Sequence, residues 1–330
     1  MADTLAPAIE AAPIAPTLPE SKDARALHRM VFVGIAVALV VLPFVLYPVF
    51  LMKVLCFALF ALAFNLLLGY GGLLSFGHAA YFGMASYLSA YSAKIWGLTP
   101  ELAILCGTAT AGVLGFVFGS LAIRRQGIYF AMITLALAQM VFFFALQSKF
   151  TGGEDGIQAV PRGHLFGLVS LADDRVLYVL VASIFFGGLL LIYRIIHSPF
   201  GQVLKAIRDN EPRAISLGYR THHYKLALFV LSTTLAGLAG ATKAIVFQLA
   251  SLTDVHWSMS GEVVLITLVG GLGTVFGPIA GALVIVTMEN YLAPFGAWVT
   301  IIQGVVFVVC VLVFREGIVG MIARWAKRPL

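Results

Sequence analysis

The segment from Ser198 to Arg220, SPFGQVLKAIRDNEPRAISLGYR, is a charged interruption between apolar runs in the C-terminal half of the chain. Its apolar residues recur at i, i+3, i+4 and i+7, which is the spacing of one face of an amphipathic helix. These residues are Phe200, Val203, Leu204 and Ile207. Asp209 and Asn210 can cap a second short helix, with Pro212 in its first turn and Gly218 past its end. The segment therefore predicts two short helices at a membrane surface, joined by a defined turn.

Composition determines the class of protein. The chain has 330 residues, of which 61% are hydrophobic and 11% charged, with a mean hydropathy of +0.99. Soluble proteins have an apolar content of roughly 45–50%. Many apolar runs reach the ~20 residues that a helix needs to cross a bilayer. We therefore predict an all-α polytopic membrane protein with about eight to ten transmembrane helices, some of them interrupted by glycine.

The apolar runs give the predicted spans, which are residues 30–47, 51–68, 78–95, 102–123, 128–147, 176–196, 224–248, 279–291 and 297–314. A short apolar segment, 262–269, is either a further crossing or a re-entrant half-helix. Residues 1–29 are rich in Ala and Pro and predict a disordered tail. Residues 315–330 form a second, basic tail.

The distribution of lysine and arginine predicts the orientation in the membrane. With the N-terminus inside and ten crossings, 15 of the 21 Lys and Arg residues fall on the inner side. Basic residues are enriched on the cytoplasmic side of membrane proteins. Both tails and the segment 198–220 are therefore predicted to be cytoplasmic, and the polar segment 148–174 to lie outside.

Two glycine clusters, GGLLSFG at 71–77 and GGLGTVFG at 270–277, align with one insertion. Irregular backbone at membrane depth is tolerated where it is buried in protein or lines a wet cavity, and paired breaks are typical of transport pathways. Close packing of helices through small residues is the alternative. The candidate pathway residues are Gly71, Gly72, Ser75, Gly77, His78, Gly270, Gly271, Gly273 and Thr274. For His78, which could line the pathway or relay a proton, a hydrogen-bonded packing role is the alternative.

No set of residues typical of catalysis or of a metal site occurs, and no GxxxxGK[ST] phosphate-binding sequence is present. The lone amides Asn65 and Gln139 lie within predicted spans, where they either join helices or touch substrate. A transporter subunit is the leading function. A stand-alone carrier or channel is the alternative, and the scarcity of ionisable residues in mid-span disfavours a carrier. We expect no enzymatic activity.

Five ordered segments carry a resemblance to a known family. They are GYGGLLSFGHAAYFGMASY at 69–87, FTGGEDGI at 150–157, SPFGQVLKAIRDNEPRAISLGY at 198–219, KLALFVLSTTLAGLAGA at 225–241 and GEVVLITLVGGLGTVFGPIAGA at 261–282. Together they resemble the LivM-type permeases of branched-chain amino acid ABC importers, from about residue 45 to 318. Close relatives in that family carry urea, other amino acids, or aromatic and short organic acids.

The resemblance implies a multi-pass permease of the bacterial inner membrane, with residues 30–314 as its transmembrane domain. It implies four kinds of partner, namely a second, LivH-like permease, two cytoplasmic ABC ATPases, a periplasmic binding protein and the lipid bilayer. ATP and Mg would be bound by the ATPases and no cofactor by this chain. Nucleic acid is not expected as a partner.

The resemblance also implies that the segment 198–220 is the coupling loop, which docks on an ATPase. Its candidate contact residues are Arg208, Asp209, Asn210, Glu211, Pro212, Arg213 and Gly218. For Glu211 we expect two roles. One is to stabilise the start of its short helix, and the other is to meet a basic residue of the ATPase.

Overall fold

The computed structural model describes residues 22–165, 167, 169–296, 298, 301–305, 308 and 317–325. Its helices are α1 (Lys22–Val41), α2 (Pro48–Asn65), α3 (His78–Lys94), α4 (Pro100–Ala122), α5 (Ile128–Gln147), α6 (Asp174–Ile196), α7 (Pro199–Asp209), α8 (Glu211–Ser216), α9 (Thr221–Phe247), α10 (Trp257–Gly270), α11 (Gly277–Leu292) and α12 (Gly317–Trp325). The strands are β1 (Ile157–Gln158), β2 (His164–Leu165), β3 (Val169–Ser170) and β4 (Leu249–Ala250). The prediction of an all-α polytopic membrane protein is confirmed.

Five helical segments in the described ranges are long and apolar enough to cross a membrane, namely Pro48–Tyr70, Pro100–Ala122, Ile128–Gln147, Asp174–Ile196 and Thr221–Phe247. The fifth predicted span, 128–147, has the bounds of α5. Helix α1 begins at Lys22, within the predicted tail, and α10 begins at Trp257, before the predicted segment 262–269. Residues 1–21 and most of the predicted span 297–314 lie outside the described residues, although residues 301–305 are helical.

Helix α2 is the centre of the bundle. In the most apolar 18-residue stretch of the helical segment Pro48–Tyr70, which contains α2, 89% of the residues are buried. The corresponding fraction in α5 is 33%. A helix that is apolar on every side needs protein around it, and α2 packs against α6, α9, α10 and α11. Its Phe60 ring also stacks on Phe82 of α3. Helices α4 and α5 lie at the periphery and expose large apolar side chains such as Phe116 and Phe143, as a lipid-facing helix does.

The two loops on either side of α6 lie at opposite ends of the bundle, because its 23 residues span about 34 Å. At one end, which we call the strand end, β1 pairs antiparallel with β4 and joins the loop 148–173 to the end of α9. Strands β2 and β3 form a hairpin there. At the other end, the α7 end, the His28 imidazole of α1 lies 3.2 Å from the Tyr193 hydroxyl of α6.

The two short helices predicted for 198–220 are confirmed as α7 and α8. The Ser198 side chain caps α7 by accepting from the Gly201 N–H at 3.3 Å. The Asn210 side chain caps α8 by accepting from the Arg213 N–H at 3.0 Å. Asp209, the other predicted cap, is the last residue of α7 and pairs with its neighbour Arg208. Leu204 and Ile207 are buried, and Phe200 and Val203 partly buried, as the amphipathic spacing predicts.

Candidate coupling site

Helix α7 is attached to the end of the central helix through Arg208. The Arg208 guanidinium donates from Nη1 to the Gly69 carbonyl oxygen at 2.5 Å. Gly69 lies in a π-helical turn, Leu66–Tyr70, that extends α2. The same Arg208 side chain lies against Gly72, because a Cβ added there would lie 2.9 Å from Arg208 Cγ. A movement of α7 would therefore act directly on the end of α2 and on the first glycine cluster.

Helix α8 is attached to α9 through Glu211. The Lys225 ammonium donates to Glu211 Oε2 at 2.6 Å, and Gln126, in the turn between α4 and α5, donates to the same oxygen at 2.8 Å. The Lys225 side chain is only 9% exposed and the Glu211 side chain 18% exposed. Because Lys225 lies in the first turns of α9, this ion pair joins the start of α8 to a membrane-spanning helix.

The outer face of the turn after α8 is apolar. Ile215, Leu217 and Tyr219 are 55%, 70% and 41% exposed, and Arg213 and Arg220 beside them are also exposed. Exposed apolar side chains rimmed by charges are typical of protein interaction sites. We call Ile215, Leu217 and Tyr219 the α8 patch. The α8 patch was not predicted from the sequence. Three large apolar residues that lie outside the buried stripe of α7 could have indicated it.

The shape of the α8 patch depends on Gly218, whose φ is +88°. The Tyr219 N–H donates to the Ala214 carbonyl at 3.1 Å, and the Gly218 N–H donates to the Ile215 carbonyl at 2.9 Å. This pair of bonds is the Schellman ending of a helix, which needs a left-handed residue at the position of Gly218. The predicted role of Gly218 at the end of the second short helix is confirmed.

Gly218→Val is expected to open the end of α8, because a β-branched residue with a left-handed backbone costs about 1–3 kcal/mol. No heavy atom lies within 4 Å of a Cβ built at this position, so the cost is conformational and not steric. Hydrogen exchange of the α8 amides should become roughly ten- to a hundredfold faster. Gly218→Asn is the control, because asparagine tolerates this conformation. Equal exchange rates in the two variants would contradict the assignment.

The two glycine clusters meet at Asn65, at the end of α2. The Asn65 side chain accepts from the Gly273 N–H at 2.9 Å and donates to the Thr274 carbonyl at 2.8 Å. A Cβ added to Gly69 would lie 2.8 Å from Gly273 Cα, so the two backbones are in close contact. Asn65 was predicted either to join helices or to touch substrate, and these two hydrogen bonds support the first role. We call Asn65, Gly69, Gly273 and Thr274 the glycine junction.

The start of α3, at the first glycine cluster, is capped by hydroxyl groups inside the protein. The Phe76 N–H donates to Thr134 Oγ1 at 3.2 Å, the Gly77 N–H to Ser75 Oγ at 3.2 Å, and the Ala79 N–H to Ser260 Oγ at 2.9 Å. These bonds satisfy backbone donors that a helix start leaves free. They also allow α3 to begin within the bundle.

His78, the first residue of α3, is fully buried. Its Nε2 lies 2.9 Å from the Ser232 hydroxyl of α9, and its ring contacts those of Phe64, Tyr81 and Phe229 at 5.1–6.2 Å between centroids. These contacts support the hydrogen-bonded packing role that was the alternative for this residue.

The structure places the nine candidate pathway residues mainly inside the bundle. Gly71, Ser75, Gly77, Gly270 and Gly271 are buried, while Gly72 is exposed next to Arg208. Gly273 and Thr274, which are partly buried, belong to the glycine junction. Their role in a pathway stays a prediction. The hydrogen bonds from Lys225 and Gln126 to Glu211 were not predicted from the sequence. They join positions that are 14 and 85 residues apart.

Across the described part of the chain, no group of three or more His, Cys, Asp or Glu side chains could hold a metal ion. The site therefore consists of a rigid surface loop, its ties to α2 and α9, and a junction between two helix breaks. These features and the apolar helices define an integral membrane protein of the polytopic α-helical class. They also give it a surface suited to contact another protein.

Comparison with known proteins gives the family. Residues 47–313 match the model of the family described as branched-chain amino acid transport system / permease component. The match covers most of the chain, which therefore belongs to this family. The family part of the prediction is confirmed.

Individual relatives agree with this family. The chain is 25% identical to the high-affinity branched-chain amino acid transport system permease protein LivM of Escherichia coli (strain K12), over 279 residues that cover 78% of this chain and 64% of the relative. The LivM protein of Salmonella typhimurium is 26% identical over the same shares. This chain thus spans 64% of the length of these relatives. The ribose import permease protein RbsC of Bacillus subtilis (strain 168) is 27% identical, covering 67% of this chain and 70% of the relative. No solved structure matches the chain.

Proposed function

We propose that this chain is the permease subunit of an ATP-driven importer for branched-chain or other hydrophobic amino acids. The observation that carries the proposal is the construction of the loop 198–220. It is capped at both helices, tied to α2 and α9, and exposes an apolar patch. A segment that only connected two spans would need none of these features. The two LivM relatives support the choice of amino acids as substrate.

The proposed partners follow from this assignment. The α8 patch would dock on one of two cytoplasmic ATPases, which bind ATP and Mg, because this chain has no phosphate-binding sequence of its own. A second permease subunit would complete the membrane part, and a periplasmic binding protein would deliver substrate at the strand end. The excess of Lys and Arg on the side of the α7 end supports a cytoplasmic position for that end.

In the proposed mechanism, a movement that begins at α8 passes from one contact to the next through the protein. Closure of the ATPases would move α8, and the Glu211–Lys225 ion pair would pass the movement to α9. Arg208 would pass it to the end of α2, and Asn65 from there to the connection between α10 and α11. Interfaces of this kind shift between discrete arrangements rather than deforming continuously, so a small displacement at α8 can switch the side to which the membrane part is open.

The proposal predicts that Leu217→Asp in the α8 patch reduces co-purification of the ATPases and ATP-dependent uptake of leucine by roughly tenfold or more, because apolar anchors dominate such interfaces. The measurement is uptake of radiolabelled leucine into proteoliposomes that contain both permeases and the ATPases, with the binding protein added. Val169→Asp, at the strand end and 46% exposed, is the matched control for co-purification of the ATPases. Full uptake and co-purification with Leu217→Asp would contradict the proposed docking surface.

A sugar is the second candidate substrate, because the Bacillus subtilis relative is named a ribose import permease. Urea and small organic acids, which the family resemblance also allows, remain candidate substrates. The same proteoliposomes separate these substrates when radiolabelled ribose and urea are offered beside leucine, each with its own binding protein. Uptake that continues without ATPases would instead favour a stand-alone carrier or channel.

A further inference from the structure

A cavity of about 640 Å³ lies between α10, α11 and the residues that follow α11. Polar side chains in its wall are Ser258, Glu262, Glu289 and Gln303, and apolar ones include Leu265 and Ile285. Cavities of roughly 300–1,000 Å³ with a few placed polar groups are typical of small-molecule sites. None of the nine candidate pathway residues lines this cavity.

The cavity lies towards the strand end of the bundle. Its residue Glu289 pairs with Lys53, near the start of α2, whereas the coupling loop contacts Gly69, at the other end of the same helix. Sixteen residues separate Lys53 from Gly69, which is about 24 Å along a helix. A substrate delivered at the strand end would therefore reach this cavity before it reached the glycine junction.

The two carboxyl groups of the cavity differ in their partners. Glu289 accepts from the Lys53 ammonium at 3.3 Å and from the Gln303 amide at 3.0 Å. Glu262 Oε1 is buried and has no hydrogen-bond partner among the described residues, and the Glu262 carboxyl group lies beside Glu289. Lys243, a second lysine near Glu262, is paired with Asp254. The described part of the cavity thus has one carboxyl group more than its cations neutralise, and the Glu262 and Glu289 carboxyl groups are hydrogen-bonded to each other through one shared proton.

A buried carboxyl group without a cation keeps a proton, and a ligand that supplies a cation can take the place of that proton. An alkylammonium group carries one positive charge and three hydrogen-bond donors, which suits Glu262 Oε1 together with the Ser258 hydroxyl. Ca²⁺ and Mg²⁺ suit the cavity less, because they take six or more oxygen ligands. No group of three or more His, Cys, Asp or Glu side chains occurs among the described residues to hold another metal ion. A neutral sugar would supply no cation to take the place of the proton shared by Glu262 and Glu289.

We propose that this cavity binds the ammonium group of the transported amino acid, with Glu262 as its counter-ion and the Leu265 and Ile285 side chains against its apolar part. The inference rests on the proposed function and names the chemical group by which this chain recognises its substrate during passage. Glu289 serves as a positioning residue, held by Lys53 and Gln303, that keeps the Glu262 side chain directed into the cavity.

Labelling of the assembled wild-type transporter with dicyclohexylcarbodiimide tests the chemical class of the ligand. This apolar reagent reacts with protonated carboxyl groups in apolar surroundings, so an ammonium ligand that takes the place of the proton lowers the reaction. Mass spectrometry measures the modified peptide that contains Glu262. Leucine and isopentylamine, which both carry an ammonium group, are expected to lower the labelling by roughly tenfold at saturation. Isocaproate, which has the same carbon chain and a carboxylate but no amino group, should not protect. Equal labelling in all three, or no labelling of Glu262 without ligand, would overturn the proposal.

Two variants test the same group in transport. Glu262→Gln removes the charge and keeps the size, and we expect leucine uptake to fall by at least about tenfold. Glu262→Asp keeps the charge and should retain most of the uptake.

The outcomes separate this proposal from the proposed function. Absence of ATP-dependent leucine uptake in the wild-type assembly would remove the function, while protection by isopentylamine would still support the ammonium site. Normal uptake by Glu262→Gln, with active wild-type transporter, would remove the ammonium site alone. If neither variant folds, the labelling of the wild-type protein decides.

Discussion

Glu211→Ala is expected to detach the loop 198–220 from α9, and exchange of the two charges, Glu211→Lys with Lys225→Glu, to restore the contact. Removal of Glu211 leaves the Lys225 ammonium without its partner in a site where the side chain is 9% exposed. Breaking a buried ion pair from one side costs about 3–5 kcal/mol, and the partial exposure of Glu211 places this case at about 3 kcal/mol. We therefore expect a loss of uptake of at least tenfold in Glu211→Ala. ATP-dependent leucine uptake and co-purification of the ATPases are the measurements.

The charge exchange separates two roles of Glu211. If Glu211 acts on Lys225, the exchanged pair keeps its attraction, and Gln126 can turn its amide so that the oxygen accepts from the new lysine. If Glu211 instead meets a basic residue of the ATPase, as the sequence suggested, the exchange places two cations together and uptake stays low. Asp155→Ala is the control for co-purification of the ATPases, because the Asp155 side chain is exposed in the loop at the strand end, away from the loop 198–220.

The sequence predicted well those elements whose structure depends on local pattern. Helix α5 has the predicted bounds because an apolar run of bilayer length ends at polar residues on both sides. Helices α7 and α8 were predicted from a stripe of apolar residues and from caps, which act within one or two turns. Hydropathy does not mark where a helix starts in water, and for this reason the starts of α1 and α10 were placed too late in the chain.

The candidate site could be predicted only in part, because its contacts are long-range. A glutamate at the start of α8 favours a helix N-terminus wherever it occurs, and nothing in the local sequence shows that Lys225 will fold back on it. Asn65 lies in a run of apolar residues, and the spacing of that run does not show that a helix break more than 200 residues away will bind its amide. The two glycine clusters were recognised as breaks, and their direct contact was not foreseen.

Gly69→Ala is expected to have the second large effect, because its new methyl group has no free space in the glycine junction. The added carbon would lie 2.5 Å from Asn65 Oδ1 and 2.8 Å from Gly273 Cα and N, so the backbone of the second glycine cluster would have to move. Overpacking of this kind costs about 1–3 kcal/mol, and the loss of the two Asn65 hydrogen bonds would add about 1 kcal/mol for each bond. Thermal unfolding in detergent and leucine uptake are the measurements, and we expect both stability and uptake to fall.

Gly187→Ala is the matched control, because Gly187 is an exposed helical glycine of α6 and no heavy atom lies within 4 Å of its added Cβ. Alanine is favoured over glycine in a helix by about 1 kcal/mol, so this variant should be as stable as the wild type or more so. Asn65→Leu tests the junction from its other side, since it removes the same hydrogen bonds and leaves the Gly273 N–H unsatisfied. Because both changes disrupt one contact, the double variant should lose less stability than the sum of the single losses. Strict additivity would mean that Gly69 and Asn65 act independently, and that the two glycine clusters are not joined through this contact.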